Sequence, residues 1–260
     1  MERKPISIII DEIPEIFHPY LSGADIYDSS CSPEARVYYI DKDNGYFLKK
    51  APKWSMEKEA AMAEFFHSKG LSANVIRYIS LKEDWFLSER VMGEDGTAKM
   101  YLDDPKRLCD AFALALRTLH ETSGEGCPIP NRTADYITSA ECGYKKGLFD
   151  TSVFPGMKFK SADESWRFFS ENAKYLKNDT LIHGDYCLPN IIFDDWRFSG
   201  FIDLGNGGMG DRHIDLFWGA WTLFFNLKTS KYTERFFDAY GRDKVDPDIL
   251  KIIPFAEVFG

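Results

Sequence analysis

"LIHGDYCLPNIIFDD", Leu181 to Asp195, and "SGFIDLGN" around Asp203 decide how this chain is read. Apolar and β-branched residues mark both segments as short strands, yet His183, Asp185, Asn190 and Asp203 interrupt them. A carboxylate set between Ile and Leu costs stability unless something binds it. The two segments therefore predict a site, with a metal ion and a reacting group as its first candidates.

Composition bounds what surrounds that site. The chain has 260 residues with 44% apolar content, enough for one large domain or two modest lobes. Cys31, Cys109, Cys127, Cys142 and Cys187 are odd in number and scattered, with no C-x-x-C pair or zinc-ligand spacing. That usage points to a reduced cytoplasm. The apolar run after the basic start ends at Asp11, too short for a signal peptide, and "LFWGAWTLFF", Leu216 to Phe225, falls short of the roughly 20 residues of a membrane helix. A net charge of −9 argues against a general nucleic-acid binder and suits a small cationic substrate. An acidic surface that only maintains solubility gives the same balance.

The first third reads as strands. "ARVYYID" and "YFLKK" flank Asp43-Asn44-Gly45, a hairpin signal. A helix follows over Ser55 to Lys69, with Met62, Phe65 and Phe66 on one side, Ser55 as N-cap and Gly70 as stop. "NVIRYISL" and "WFLSERV" predict a second hairpin. From Pro105 to Thr122, Leu108, Phe112, Ala115, Leu116 and Leu119 fall at helical spacing behind a first-turn proline. Gly124 to Lys160 is rich in Gly, Pro, Ser and Thr and predicts loops and short helices. Helix resumes in "ADESWRFFSENAKYL", short strands carry the polar segments, and the remainder from Asp215 is mostly helical. The fold class is α+β in two lobes: a small antiparallel sheet with one helix over 1–92, then a larger, mainly helical part over 93–260.

Asp185 and Asn190 sit five residues apart around Pro189, and Asp203 follows on a hairpin-like return. An amide oxygen and a carboxylate suit Mg²⁺, a hard cation that shares its shell with substrate phosphates. Asp185 is then left to accept a hydroxyl proton, which completes a minimal phosphoryl-transfer set. The competing reading is an Asx-turn network without chemistry.

On those residues, "HGDYCLPN" and "GFIDLG" resemble the catalytic and metal-binding segments of aminoglycoside phosphotransferases, closest to the 3′-phosphotransferases, which share the protein-kinase-like fold. Length, element order and the C-terminal "PFAEVFG" extend the resemblance over nearly the whole chain. It implies ATP and Mg²⁺ as cofactors, Asp185 as the residue that takes the hydroxyl proton, and Asn190 and Asp203 as metal ligands. It further implies Lys49 on a strand for the α- and β-phosphates, with Lys50 on the opposite face, and Glu59 on the helix to orient Lys49. Glu89 and Val91 would offer backbone groups to adenine, with Arg90 pointing outward. No G-x-G-x-x-G precedes them. Ser29, Ser30 and Ser32 instead occupy a turn that either touches phosphates or is plainly polar. His183 reads as structural, Asp215 as a brace for the loop from a helix N-terminus, and His120 and His67 as packing or surface residues.

Two departures bear on the substrate. The family commonly has an arginine directly after "IDLG", where this chain has Asn206. The segment before the catalytic loop, acidic in that family, reads "GLFDTSVFPGMKFK" with Asp150 as its clear acid. Glu257 and Phe259 match the family's C-terminal substrate contacts, although Gly260 extends past them. The resemblance thus implies a kinase acting on a hydroxyl of an aminoglycoside. The alternatives are a kinase of this fold for choline, a sugar or a macrolide, and a nucleotide-binding protein without catalysis. A protein kinase fits less well: Gly184 stands where those enzymes have Arg, and no A-P-E follows the metal aspartate.

Overall fold

The structure is a computed structural model that describes residues 4–31, 33, 35–154 and 156–260. The chain forms two compact units. One runs up to Met92 and includes Ser199–Gly205; the other comprises Gly93–Phe198 and Asn206–Gly260. The short segment 199–205, expected in the larger lobe, therefore belongs to the smaller one. Its capture is physical: the Phe201 N–H donates to the Leu71 carbonyl at 2.8 Å, and the Phe201 ring meets Phe66 edge-on at 6.1 Å.

Among the described residues of the first unit, β1 (Lys4–Pro5), β2 (Asp25–Asp28), β3 (Arg36–Asp41), β4 (Tyr46–Pro52), β5 (Val75–Ser80) and β6 (Glu83–Glu89) form an antiparallel sheet in the order β1-β2-β3-β4-β6-β5. Both predicted hairpins are present, as β3–β4 and β5–β6. The first closes where Asp43 and Gly45 take positive φ, +54° and +93°, as its turn sequence requires. One face buries Ile40, Leu48, Trp85 and Leu87 against Phe17 and Leu21, the latter from the short helix α1 (His18–Leu21). Helix α2 (Glu57–Ser68) buries Met62 and Phe66. Ser55 is not its N-cap: the Ser55 hydroxyl turns back to the Pro52 carbonyl, and the cap is Met56, whose N–H is taken by the buried carboxylate of Asp84 at 3.0 Å. Asp84 also accepts from Ser80 and Tyr78, so one carboxylate ties β5, β6 and the start of α2.

The second unit opens with β7 (Glu94–Asp95) and α3 (Lys99–Leu102), followed by α4 (Pro105–Glu121), in which all five residues predicted to face inward are buried. Helix α5 (Arg132–Lys145) is a difference from the sequence reading, which expected only loops and short helices there. Asn131 caps it, but its buried positions are Thr133, Tyr136, Ala140 and Gly143, a set too small and polar to show a hydrophobic period. Then come α6 (Ala162–Asn172), β8 (Thr180–Ile182), β9 (Ile191–Asp194), β10 (Arg197–Phe201, of which Ser199–Phe201 belong to the first unit), β11 (Gly208–Gly210), α7 (Arg212–Leu227), α8 (Thr233–Tyr240), α9 (Pro247–Leu250) and α10 (Pro254–Glu257). β8 pairs antiparallel with β11, and Ile182 joins a core with Tyr136, Phe169, Ile214 and Ile253. The aromatic run of Leu216 to Phe225 lies in α7, and among the described residues no helix is long and apolar enough to cross a membrane.

Removing the Asp84 carboxylate deprives Met56, Trp54, Tyr78 and Ser80 of their acceptor. Asp84→Ala should lower stability by about 2–4 kcal/mol in urea unfolding monitored by circular dichroism, with Asp84→Asn losing less.

Candidate active site

In the first unit, β4 presents Lys49 between Val37 of β3 and Phe86 of β6. Its ammonium lies 2.6 Å from the Glu59 carboxylate on α2 and also contacts Asp203. Burial alone would lower the Lys49 pKa, but the two carboxylates outweigh it and hold the ammonium above its ordinary value. Lys50 faces the other side of the strand, pairs with Glu83 at 2.8 Å and lies over Trp85. Asp203 has φ +57°, a left-handed conformation that aspartate tolerates better than most residues, and its side chain is 47% exposed.

Of the residues expected near phosphates, Ser29 and Ser30 lie in the β2–β3 turn, and Ser32 lies outside the described residues. The Ser30 oxygen accepts from the Val37 N–H at 2.9 Å, which gives that hydroxyl a turn-closing role already. The Glu89 N–H donates to the Asn74 carbonyl at 2.9 Å. Val91 packs over Gly200, and Arg90 turns back over the Tyr39 ring instead of outward.

In the second unit, β8 delivers His183, Gly184 and Asp185 into a tight loop. Gly184 has φ +80°, and a Cβ there would lie 2.0 Å from the Asn206 carbonyl oxygen, so only glycine fits. A short 3₁₀ turn, Leu188–Asn190, with Pro189 inside it, returns the chain. The Asn190 amide nitrogen then donates to both the Asp185 carbonyl, at 3.0 Å, and the Asp185 carboxylate, at 2.9 Å. This bond fixes the carboxylate and assigns the Asn190 amide: Nδ2 is spent on Asp185, and Oδ1 is the face offered elsewhere. His183 is buried, and its Nδ1 accepts the Asp185 N–H at 3.3 Å, the structural role expected of it. Asp215 on α7 accepts from the N–H groups of His183 and Gly184, both at 2.7 Å. Tyr186 anchors the loop to α4 through the Phe112 carbonyl at 2.6 Å.

The acceptor-side residues are less uniform. Glu257 is half-buried, and its Oε1 accepts from Tyr136 at 2.9 Å and Trp218 at 3.1 Å. Burial, helped by the charge of Asp185, pushes its carboxyl up to about 7. The Asp150 N–H donates to the Val258 carbonyl at 2.8 Å, which places this exposed acid beside the C-terminal segment. Phe259 corrects the sequence reading: its side chain is wholly buried against Tyr144, Trp166 and Phe149, so its ring is a wall of the core and not a surface for a ligand. Asn206 accepts from the Arg132 guanidinium at 2.8 Å. A cation therefore stands where the sequence shows none, supplied from α5. No local signal could have revealed it across 74 positions.

Among the described residues no group of three or more His, Cys, Asp or Glu could hold a metal ion. The donors present, an amide oxygen and a carboxylate, instead suit a hard cation that completes its shell with phosphate and water.

The model of the phosphotransferase enzyme family matches residues 33–252. The chain belongs to this family. A probable aminoglycoside 3′-phosphotransferase of Lactococcus lactis subsp. lactis is 47% identical over 99% of this chain and 98% of its own length. An aminoglycoside 3′-phosphotransferase of Escherichia coli is 26% identical over 89% of this chain and 83% of its own. Among solved structures, an aminoglycoside-3′-phosphotransferase of type VIII superposes with a TM-score of 0.79 over 96% of this chain and 98% of that one, at 20% identity. An aminoglycoside phosphotransferase from Streptomyces rimosus in complex with ADP and streptomycin gives 0.76 over 98% and 99%, at 18% identity. The α+β, kinase-like fold expected from the sequence is thereby borne out, as is a phosphotransferase acting on a hydroxyl group.

Because the loop of this phosphotransferase has no room for a Cβ at residue 184, Gly184→Ala should lower kcat by about 100-fold or more, measured by coupled ADP release, while the chain remains folded.

Proposed function

We propose that the chain transfers the γ-phosphoryl group of ATP to a hydroxyl of an aminoglycoside, in the manner of a 3′-phosphotransferase, and so confers resistance. The observation that carries the chemistry is the Asp185 carboxylate clamped by the Asn190 amide beneath two backbone donors to Asp215. The 47% identical Lactococcus relative supports the acceptor class. Scattered cysteines without a C-x-x-C pair fit a reducing cytoplasm, where ATP is plentiful.

Asp185 orients the acceptor hydroxyl and takes its proton as the bond to phosphorus forms. The Asn190 clamp limits rotation of that carboxylate, so positioning is prepared before the acceptor arrives. Lys49, kept charged by Glu59 and Asp203, binds the α- and β-phosphates. Asn190 through Oδ1 and Asp203 through its carboxylate are the residues that would hold Mg²⁺. When bound, the ion neutralises charge on the phosphate oxygens. Ser29, Ser30 and Val91 remain candidate nucleotide contacts; Asp150, Asn206 and Glu257 remain candidate acceptor contacts.

One observation favours a second acceptor class. Around Asp150 the surface is apolar, with Leu148, Phe149, Val153 and Met157 exposed, which suits a hydroxylated acceptor of lower charge such as a sugar or a macrolide. Expression in a sensitive bacterium, with phosphorylation assayed on kanamycin-class and unrelated antibiotics, separates the two. Absence of both protection and phosphorylation for every aminoglycoside rejects that acceptor and leaves the kinase chemistry standing. Asp185→Ala should abolish turnover while nucleotide binding by calorimetry persists; retained phosphorylation removes Asp185 from its role. Asp203→Ala should instead weaken Mg²⁺-dependent nucleotide binding.

Glu257 adds a pH signature. Its carboxyl is neutral below about pH 7 and anionic above, and only the anion pairs with an acceptor ammonium. The acceptor KM should therefore fall as pH rises through about 7, and Glu257→Gln should lose that step while the titration of the acceptor's own amines persists.

A further inference from the structure

Arg132 stands where a cation stabilises a helix least. It is the first residue of α5, directly after the Asn131 cap, so its charge lies at the positive end of the helix dipole. Its side chain is 17% exposed, and burial pulls its basicity below the ordinary value. Among the described residues its one ion-pair partner is Asp135, at 3.9 Å, and its close hydrogen bond goes to a neutral group, the Asn206 amide oxygen at 2.8 Å. A guanidinium has five N–H donors, so most of its capacity is left for solvent or a ligand. Burial, the dipole and thin pairing all work against the fold, and local rules broken together in this way point to function.

The surrounding elements hold that charge in one place. A Cβ on Gly208 would lie 3.0 Å from the Arg132 Cβ, so a glycine of β11 lets the arginine stem pass close. The Met209 N–H donates to the Ile129 carbonyl at 2.9 Å and ties β11 to the chain that leads into α5. The guanidinium then reaches Asn206, whose own carbonyl oxygen lies against Gly184, directly before Asp185. One turn further along the same face of α5, the Tyr136 hydroxyl donates to the Glu257 carboxylate at 2.9 Å. Helix α5 thus presents a cation and a held acid one turn apart, beside the loop that carries Asp185.

We propose that Arg132 is a specificity-determining residue of the acceptor site: its guanidinium, one turn from the acid Glu257, donates to a hydroxyl oxygen of the bound ring and repels an ammonium at that position. The proposal rests on the aminoglycoside reading and deepens it, because the preferred acceptor then places an amine at Glu257 and a hydroxyl at Arg132. Like charges at hydrogen-bond distance disfavour binding, whereas a hydroxyl oxygen accepts from the guanidinium without that cost. Acids alone would hold any polyamine. A cation among them makes the order of amines and hydroxyls around the ring decide. Contact with the transferred phosphoryl group is the competing assignment for the same charge, and nucleotide kinetics separate the two.

The test reads two pairs of acceptors that differ at one carbon: kanamycin A and kanamycin B, with a hydroxyl or an amine beside the 3′-hydroxyl, and paromomycin and neomycin B, with a hydroxyl or an amine at the 6′ carbon. In coupled assays of ADP release the wild type should favour the hydroxyl member of at least one pair about tenfold in kcat/KM. Arg132→Met keeps the stem and removes the charge. It should bring that ratio within about twofold of unity, chiefly by lowering the KM of the amine member, with the nucleotide KM within about twofold of wild type. Arg132→Lys should keep the preference. Asn206 is exposed, so water takes the place of its lost donor, and the melting temperature of Arg132→Met by circular dichroism should equal or exceed that of the wild type. A wild type that phosphorylates all four without preference overturns the proposal, as do ratios unchanged in Arg132→Met. So does an equal loss for all four acceptors with a raised nucleotide KM, which assigns the charge to the phosphoryl group. Should Arg132→Met fail to fold, Arg132→Gln decides by the same ratios. A wild type that phosphorylates none of the four removes the aminoglycoside reading, and this proposal with it, before any variant is compared.

Discussion

The buried carboxylate of Asp215 is the constraint on which the catalytic unit depends. A carboxylate so placed persists only if donors surround it, and here they are two backbone N–H groups and one imidazole. It sits in the first turn of α7, where the helix macrodipole also favours a negative charge. The start of α7 is itself fixed by Asp211, which caps it through the His213 N–H and takes the Lys177 N–H from the chain leading to β8. The strand that delivers the loop and the helix that receives it are therefore joined twice by carboxylates. β8 and β11 add their ladder between these ties, and the loop inherits a geometry set by three elements.

In the first unit the corresponding constraint is a lysine between two acids. Desolvation works against the Lys49 charge, and Glu59 and Asp203 overcome it. Such a cluster contributes little to stability relative to an apolar core, yet it fixes where one ammonium points. Asp203 holds its place in a left-handed conformation that most side chains avoid. Backbone strain and an ion pair thus coincide on the residue we propose as a metal ligand, as expected where geometry matters more than folding energy.

Legibility followed range along the chain. The hairpin at Asp43-Asn44-Gly45, the inward face of α4 and the polar loop at 183–190 were readable because turn chemistry, helical period and short-range spacing are local. Helix α5 was not, since small and polar residues line its buried face. The cap of α2 was misassigned because Asp84, which receives the Met56 N–H, comes 28 residues later. His120 looked inert because its partners lie 95 and 120 positions away, and only the fold brings α4, α7 and α8 together around it. A buried polar residue on an apolar helix face shows that it needs a partner, but not which one.

Long-range placement also changes what Asn206 means. Along the chain, Asn206 marks a missing positive charge; in the fold, its amide oxygen holds the Arg132 guanidinium, whose side chain is only 17% exposed. Burial costs that cation some of its basicity, which Asp135 and Glu257 partly restore. Glu257 in turn is held back from ionising by burial and by Asp185, and is drawn toward it by Arg132. The acceptor side is thus a balance of a few charges, in which each group's state depends on its neighbours. An acidic segment would bind a polyamine by charge density alone. With Asp150 as the clear acid of its segment and Glu257 a conditional one, the acceptor contacts we propose rest on the placement of few charges, set by the same helices, α5 and α10, that contribute to the core.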